Sequence, residues 1–253
     1  MSGVSRAYFI LLPPSESKEP GGHREVAPGL FDDLLAFPRE QVLRALAQTL
    51  GAASPEEASR LLNARGENLE RALDATRQLV EGTALVLPAW QRYRGVVWSH
   101  LDPASLQEKL RRRILVPSGL YGFSSGTDVI ADYRLTMKVS LIGIGNIARY
   151  WRTALSRALE EMAGATLVSL LPKEHASAIG ASDVLSRQLV TVSFLRHDGG
   201  GVVGHDAKAV KGVVARRVLE DGLDAVEGFR WKGWRGKISC GQYLVRAPRV
   251  NPR

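Results

Sequence analysis

Apolar residues in this chain come in short bursts broken by proline and glycine, between longer stretches of helical period. Tyr8 to Leu12 is the first burst, a β-type run that Pro13-Pro14 must end because proline cannot donate to a ladder. Ser15-Glu16-Ser17-Lys18 then follows a strand's carboxyl end and precedes a Gly21-Gly22 turn. Open α/β sheets gather ligands at such a place, although a plain polar loop is the commoner outcome. Residues 38–82 are helical in character. Val42, Leu43, Leu46 and Leu50 recur at helical spacing, and Ser54-Pro55-Glu56-Glu57 starts a helix with proline in its first turn. The connection from Leu50 to Ala58 resembles a helix-hairpin-helix clamp that offers turn amides to phosphate, with a plain helical corner as the simpler reading.

Pro88 to Leu101 interleaves Trp90, Tyr93 and Trp98 with Arg92 and Arg94. Such a stretch either stacks on bases or forms a core corner with snorkelling arginines, the plainer of the two. Pro103 to Arg113 reads as a short helix. Ile114 to Val116 is a buried-type strand broken by Pro117-Ser118-Gly119, Ser124-Ser125-Gly126 makes a second turn, and Tyr133 to Met137 is a second extended run. With Asp128, Asp132, Arg134 and Lys138 near its tips, this stretch is either the rim of a site or a core strand with solvated turns.

Residues 146–163 form the clearest helix, its apolar stripe running from Ile147 through Trp151 and Leu155 to Met162. Thr166 to Leu171 is a buried-type strand ended by Pro172-Lys173-Glu174-His175, which repeats the design of the first strand. Gln188 to Leu195 is another strand. After the Gly199-Gly200-Gly201 tract, residues 204–217 read as a basic amphipathic helix with Val210, Val213, Val214 and Val218 inward and Lys208, Lys211 and Arg216 outward. Lys208 and Lys211 share a face and could grip one phosphate path. Residues 227–246 read as a terminal hairpin, with Phe229, Trp231 and Trp234 before the strand Ile238 to Val245.

Composition narrows this picture. The 253 residues, 45% apolar and 24% charged, suit one large domain or two small ones with a sizeable core. No run approaches the length of a membrane span, and the N-terminal apolar run reads as a strand, not a signal peptide. One cysteine, Cys240, excludes an intramolecular disulfide and Cys-rich zinc sites, and a reducing cytoplasm is its natural setting. The 34 Lys and Arg against 26 Asp and Glu give a net charge of +8, which favours polyanions. That excess lies almost entirely in the stretch from Arg187 onward. No HExxH, paired CxxC or GxSxG spacing occurs, and the glycine tract fits neither GxGxxG nor a P-loop. The residues call for no metal and no cofactor. Polar and basic residues recur instead at element ends: Ser15, Glu16 and Lys18; Ser118, Asp132 and Arg134; Lys173, Glu174 and His175; His205, Lys208 and Lys211. If the strands share one sheet, these tips converge on a single basic cleft.

The strings LLPPSESK, YRGVVWSHL, SGLYGFSSGTDVIADYRLTM, LVSLLPKEHASAI, HDAKAVKGVVARRVLEDGL and EGFRWKG…GQYLV resemble, in order and over nearly the whole chain, the YaaA family of peroxide-stress proteins. The resemblance implies one compact α/β (α+β) domain over 1–253, with a mixed central sheet flanked by helices, a positively charged cleft and a helix-hairpin-helix-like element. It implies a cytoplasmic, monomeric protein that binds double-stranded DNA and limits peroxide and iron damage, with no membrane association. Carried over by position, Ser15, Glu16 and Lys18 match the first motif. Ser118, Gly119, Tyr121, Asp128, Tyr133 and Arg134 match the central one, and His205, Lys208, Lys211 and Arg216 match the basic helix. Two departures stand out. Ser125-Gly126-Thr127 replaces an Arg-Pro that precedes the family's central aspartate, and Glu174-His175 lacks the tyrosine of a later motif.

Two functional expectations follow. In the first, Ser15, Lys18, Ser118, Arg134, Lys208, Lys211 and Arg216 contact the DNA backbone. In the second, the same cleft is the site of an enzyme acting on a small molecule or nucleobase, with Glu16 or His205 as general acid/base and Lys18 or Arg134 holding an anion. A blander reading is a partner-binding protein whose charge is only compositional.

Overall fold

The computed structural model describes residues 8–162, 164–196 and 205–248, apart from the side chain of His205. The first half of the chain runs β1 (Tyr8–Leu11), α1 (Asp32–Ala52), α2 (Pro55–Leu62), α3 (Glu67–Val80), β2 (Val86–Pro88), α4 (Ala89–Arg92) and α5 (Val96–Leu101). It continues with α6 (Glu108–Arg111), β3 (Ile114–Ser118), β4 (Gly122–Ser125), β5 (Val129–Ala131), β6 (Ser140–Leu141) and β7 (Gly145–Asn146). Then come α7 (Ile147–Glu160), β8 (Thr166–Ser169), α8 (Lys173–Ala176), α9 (Asp183–Gln188), β9 (Leu189–Leu195), α10 (His205–Asp221), β10 (Arg230–Trp231), β11 (Trp234–Ser239) and β12 (Gln242–Arg246).

Eight strands form one mixed sheet in the order β10-β11-β12-β9-β8-β1-β3-β4. The five inner strands, β12 to β3, run parallel, and antiparallel pairs close both edges. Parallel strands are covered on both faces, which explains their apolar runs. Ile10, Leu11, Ile114, Leu115, Val116, Leu167 and Val168 are fully buried. From β1 the chain crosses to β3 on one side, then back over β1 to β8 on the other. A crevice therefore opens beyond the carboxyl ends of β1 and β8, the switch point where such sheets hold ligands.

This single α/β domain with a mixed sheet agrees with the expected fold class, but several element boundaries differ. The helical stretch is three helices. Ser54 caps the second through a reciprocal pair with Glu57, so the Ser54 amide that a phosphate clamp would offer already donates to Glu57 Oε2 at 2.8 Å. Pro117 does not end its strand. β1 stops at the Pro13-Pro14 block, so β3 has no neighbour on that side past Leu115, and no amide is missed at Pro117. Ser124-Ser125 lies in a strand rather than a turn, and Tyr133 to Met137 is irregular chain after β5. The C-terminal hairpin turns at Cys240-Gly241, dividing Ile238 to Val245 between two strands. The Gly199-Gly200-Gly201 tract lies outside the described residues.

Helix α7 seats Trp151 against the β3–β4 turn, where its indole donates to Gly119 O at 2.8 Å. Helix α10 packs on α5 through Gly212, where an added Cβ would lie 2.3 Å from Val97 O. No helix among the described residues is long and apolar enough to cross a membrane.

Candidate functional site

The crevice at the switch point is a cleft of about 600 Å³. One wall is the loop from Pro13 to Lys18 that the double proline forces out of β1, together with Tyr133 to Thr136. The other wall carries Val96, Val97 and Trp98 of α5, Pro172, Glu174 and His175 after β8, Phe194 of β9, and Ala207, Lys208 and Lys211 of α10. Ser15, Glu16, Lys18, Arg134, Lys208 and Lys211, drawn from three separated stretches of sequence, thus meet around one concavity.

The β1 loop is held by backbone pairing with the α4–α5 corner. Lys18 and Tyr93 form an isolated bridge, Arg94 N donates to Ser17 O at 3.0 Å, and Glu19 N donates to Arg92 O at 2.8 Å. Ser15 Oγ would stand 2.9 Å from a Cβ at residue 95, and that residue has φ +100°, so glycine alone fits there. Beneath the loop, Arg92 is fully buried and donates to the carbonyls of Ile130, Glu19, Gly21 and Leu85. The Arg-aromatic stretch is therefore a core corner, with Arg92 swallowed whole instead of snorkelling.

Lys18 turns the other way, toward the cleft. Only 8% of it is exposed, and its Nζ donates to Ser15 O at 2.9 Å, its one hydrogen bond among the described residues. The ammonium stands 4.1 Å from the centroid of the Tyr133 ring and 5.8 Å from that of Tyr93. Burial is the main cause that lowers its pKa to about 7; Arg134 and Arg71 lower it further, and Asp132 and Glu16 partly offset this. The Tyr133 and Tyr93 hydroxyls share a 2.7 Å hydrogen bond, and burial drives both phenols upward, so both stay protonated.

On the opposite wall the Lys211 ammonium lies 5.5 Å from the Phe194 ring, and its pKa falls to about 8 through burial and then through Lys208. Burial also lowers His175 to about 4, leaving a neutral imidazole near pH 7 whose Nδ1 is buried without a hydrogen-bond partner. The remaining charges around the cleft are matched. Arg134 bonds Glu16 at 3.1 Å, Arg94 bonds Glu19 at 2.7 Å, and Glu174 bonds Lys138 at 2.9 Å. Lys18, Lys208 and Lys211 have no ion pair among the described residues. No three His, Cys, Asp or Glu of the described residues come together as a metal set.

Other candidates lie elsewhere. Ser118 is buried behind Tyr133, accepting from Tyr121 N at 3.1 Å, so SGLYG backs the wall that Tyr133 to Thr136 face. Tyr121 packs edge-on to Tyr133, with ring centroids 5.3 Å apart. Arg216 is two turns beyond Lys208 and away from the cleft, bonding Asp102, Glu220 and, at 2.7 Å, Ser105 Oγ. It fastens α10 to the end of α5. His205 opens α10, and its side chain lies outside the described residues. Asp128 accepts from Ser125 N at 2.8 Å and from Leu30 N, and Gly126 packs where a Cβ would meet Arg111 O at 2.4 Å. The Ser125-Gly126-Thr127 departure is thus remote from the cleft, whereas Glu174-His175 forms part of its wall. Arg94, Phe194 and the Val96-Val97 pair were not expected at the site. The sequence signal for Arg94 and the valine pair is that YRGVVW, like the Ser15 to Lys18 loop, stands among the family-like strings; Phe194 had none.

A family model described as peroxide stress protein YaaA matches residues 9–237. A UPF0246 protein of Streptomyces coelicolor is 36% identical over 230 residues, covering 87% of this chain and 85% of that protein. A UPF0246 protein of Corynebacterium glutamicum is 31% identical over 214 residues, covering 82% of this chain and 83% of that protein. One of Ruegeria is 30% identical over 157 residues, 56% of this chain and 62% of that protein.

Proposed function

Because this chain belongs to the peroxide stress protein YaaA family, we propose that it serves that response by binding the backbone of duplex DNA along the rim of the cleft, with Lys208 and Lys211 as the phosphate contacts and Lys18 deeper within. One observation carries the reading: three lysines without a carboxylate partner among the described residues face a single concavity, while the arginines beside them are paired. Ammonium groups left in this way attract an anion, and phosphate contacts made by lysine carry no sequence information. An anisotropy titration against duplex DNA at two salt concentrations tests it. Affinity is expected to fall as salt rises, and Lys208→Ala and Lys211→Ala should each flatten the log–log slope by about one. No binding at low salt overturns the reading.

A second reading, small-molecule chemistry in the same cleft, is favoured by the depth of Lys18. A duplex backbone follows a surface and has no use for an amine almost sealed between two phenol rings. On this reading Glu16, at the mouth beside Lys18, moves protons. Glu16→Gln would then lose turnover and keep its DNA affinity, whereas joint loss of both favours the DNA reading.

A further inference from the structure

The cleft is built in two chemically different parts. Its floor is an amine with a single carbonyl partner and two aromatic faces, and its far wall presents two ammonium groups above Val97, Trp98 and Phe194. We propose that Lys18 is the covalent residue of a carbonyl-binding site: its Nζ adds to the carbonyl carbon of a small aldehyde or 2-oxo acid whose carboxylate or phosphate is held by Lys208 and Lys211. The inference rests on the small-molecule reading and stands whether or not DNA binds at the rim.

The chemistry needs no co-reactant. The unprotonated amine attacks the carbonyl carbon, a C–N bond forms, and the π bond opens to a carbinolamine. The former carbonyl oxygen then leaves as water, taking the two amine protons, and a C=N bond remains. Glu16, two residues before Lys18 on the same loop, is the group on this wall able to relay those protons. The low pKa of Lys18 supplies the neutral amine near pH 7. The Tyr93 and Tyr133 rings that flank it limit the water that would hydrolyse the imine.

Three probes of similar size test this under cyanoborohydride reduction followed by peptide mapping: glyoxylate, glycolaldehyde phosphate and uncharged glycolaldehyde. Lys18 is expected to be modified fastest of the eight lysines near neutral pH, about fivefold faster than Lys211, whose pKa of about 8 leaves less neutral amine there. Its rate should level off above about pH 8, and that of Lys211 about one pH unit higher. One anionic probe should outpace glycolaldehyde about tenfold, and the faster of the two tells carboxylate from phosphate. The Lys208→Ala/Lys211→Ala double variant should remove that advantage. Labelling spread evenly over all lysines, or an unmodified Lys18 in protein with an intact melting transition, overturns the proposal. DNA titrations of the same samples separate the readings: lost DNA binding with Lys18 labelling retained sinks the DNA reading alone.

Discussion

Arg92 and Lys18 are both buried cations on the same corner of the fold, and they could hardly be treated more differently. Arg92 lies below the loop and meets four carbonyl oxygens, which engage four of the five N–H groups of its planar fork. Lys18 lies above and meets one. A buried charge that is fully hydrogen-bonded stabilises its surroundings, while one left short is a standing cost. The contrast separates a cation that holds the structure from one that the structure holds ready.

Substitution is expected to pull the two apart in sign. Arg92→Ala should have the largest effect, a loss of about 4 kcal/mol in denaturant unfolding, because it orphans four carbonyls and opens a cavity. Lys18→Met should stabilise. With the folded pKa near 7 and the unfolded one near 10.5, the unfolded chain binds the extra proton between those values. The penalty is thus complete below about pH 7, where the variant should gain roughly 3 kcal/mol, and it fades as pH rises toward 10.5. A difference between the two proteins that does not change over this range would break the comparison. Lys211→Met should follow the same sign over the narrower window from about 8 to 10.5, with a smaller gain. Arg216→Ala should be the smallest, a loss of about 1 kcal/mol, since its ion pairs are partly solvated.

Much of the site was legible in the sequence because proline writes it there. Pro13-Pro14 and Pro172 end parallel strands at the same edge of the sheet, so polar residues just beyond them had to gather at one rim. Lys208 and Lys211 were placed by helical period. What sequence could not show is set by tertiary pairing. The bridge between Lys18 and Tyr93 joins loops far apart in the chain, and the amine beside it is buried. Arg216 looked equivalent to Lys208 on its helix, yet the end of α5 captures it. Pro117 misled because a strand's tolerance of proline depends on whether a neighbour is still alongside.

The close seating of α10 on α5 at Gly212 has a consequence for the growing chain. The Lys18 loop is made well before α10, the helix that completes the cleft. Until Tyr93 and Tyr133 have closed around it, Lys18 is an ordinary hydrated ammonium, inert at cellular pH. On the proposed chemistry its reactivity is therefore a property of the finished molecule, and a nascent or half-unfolded copy would carry no such nucleophile.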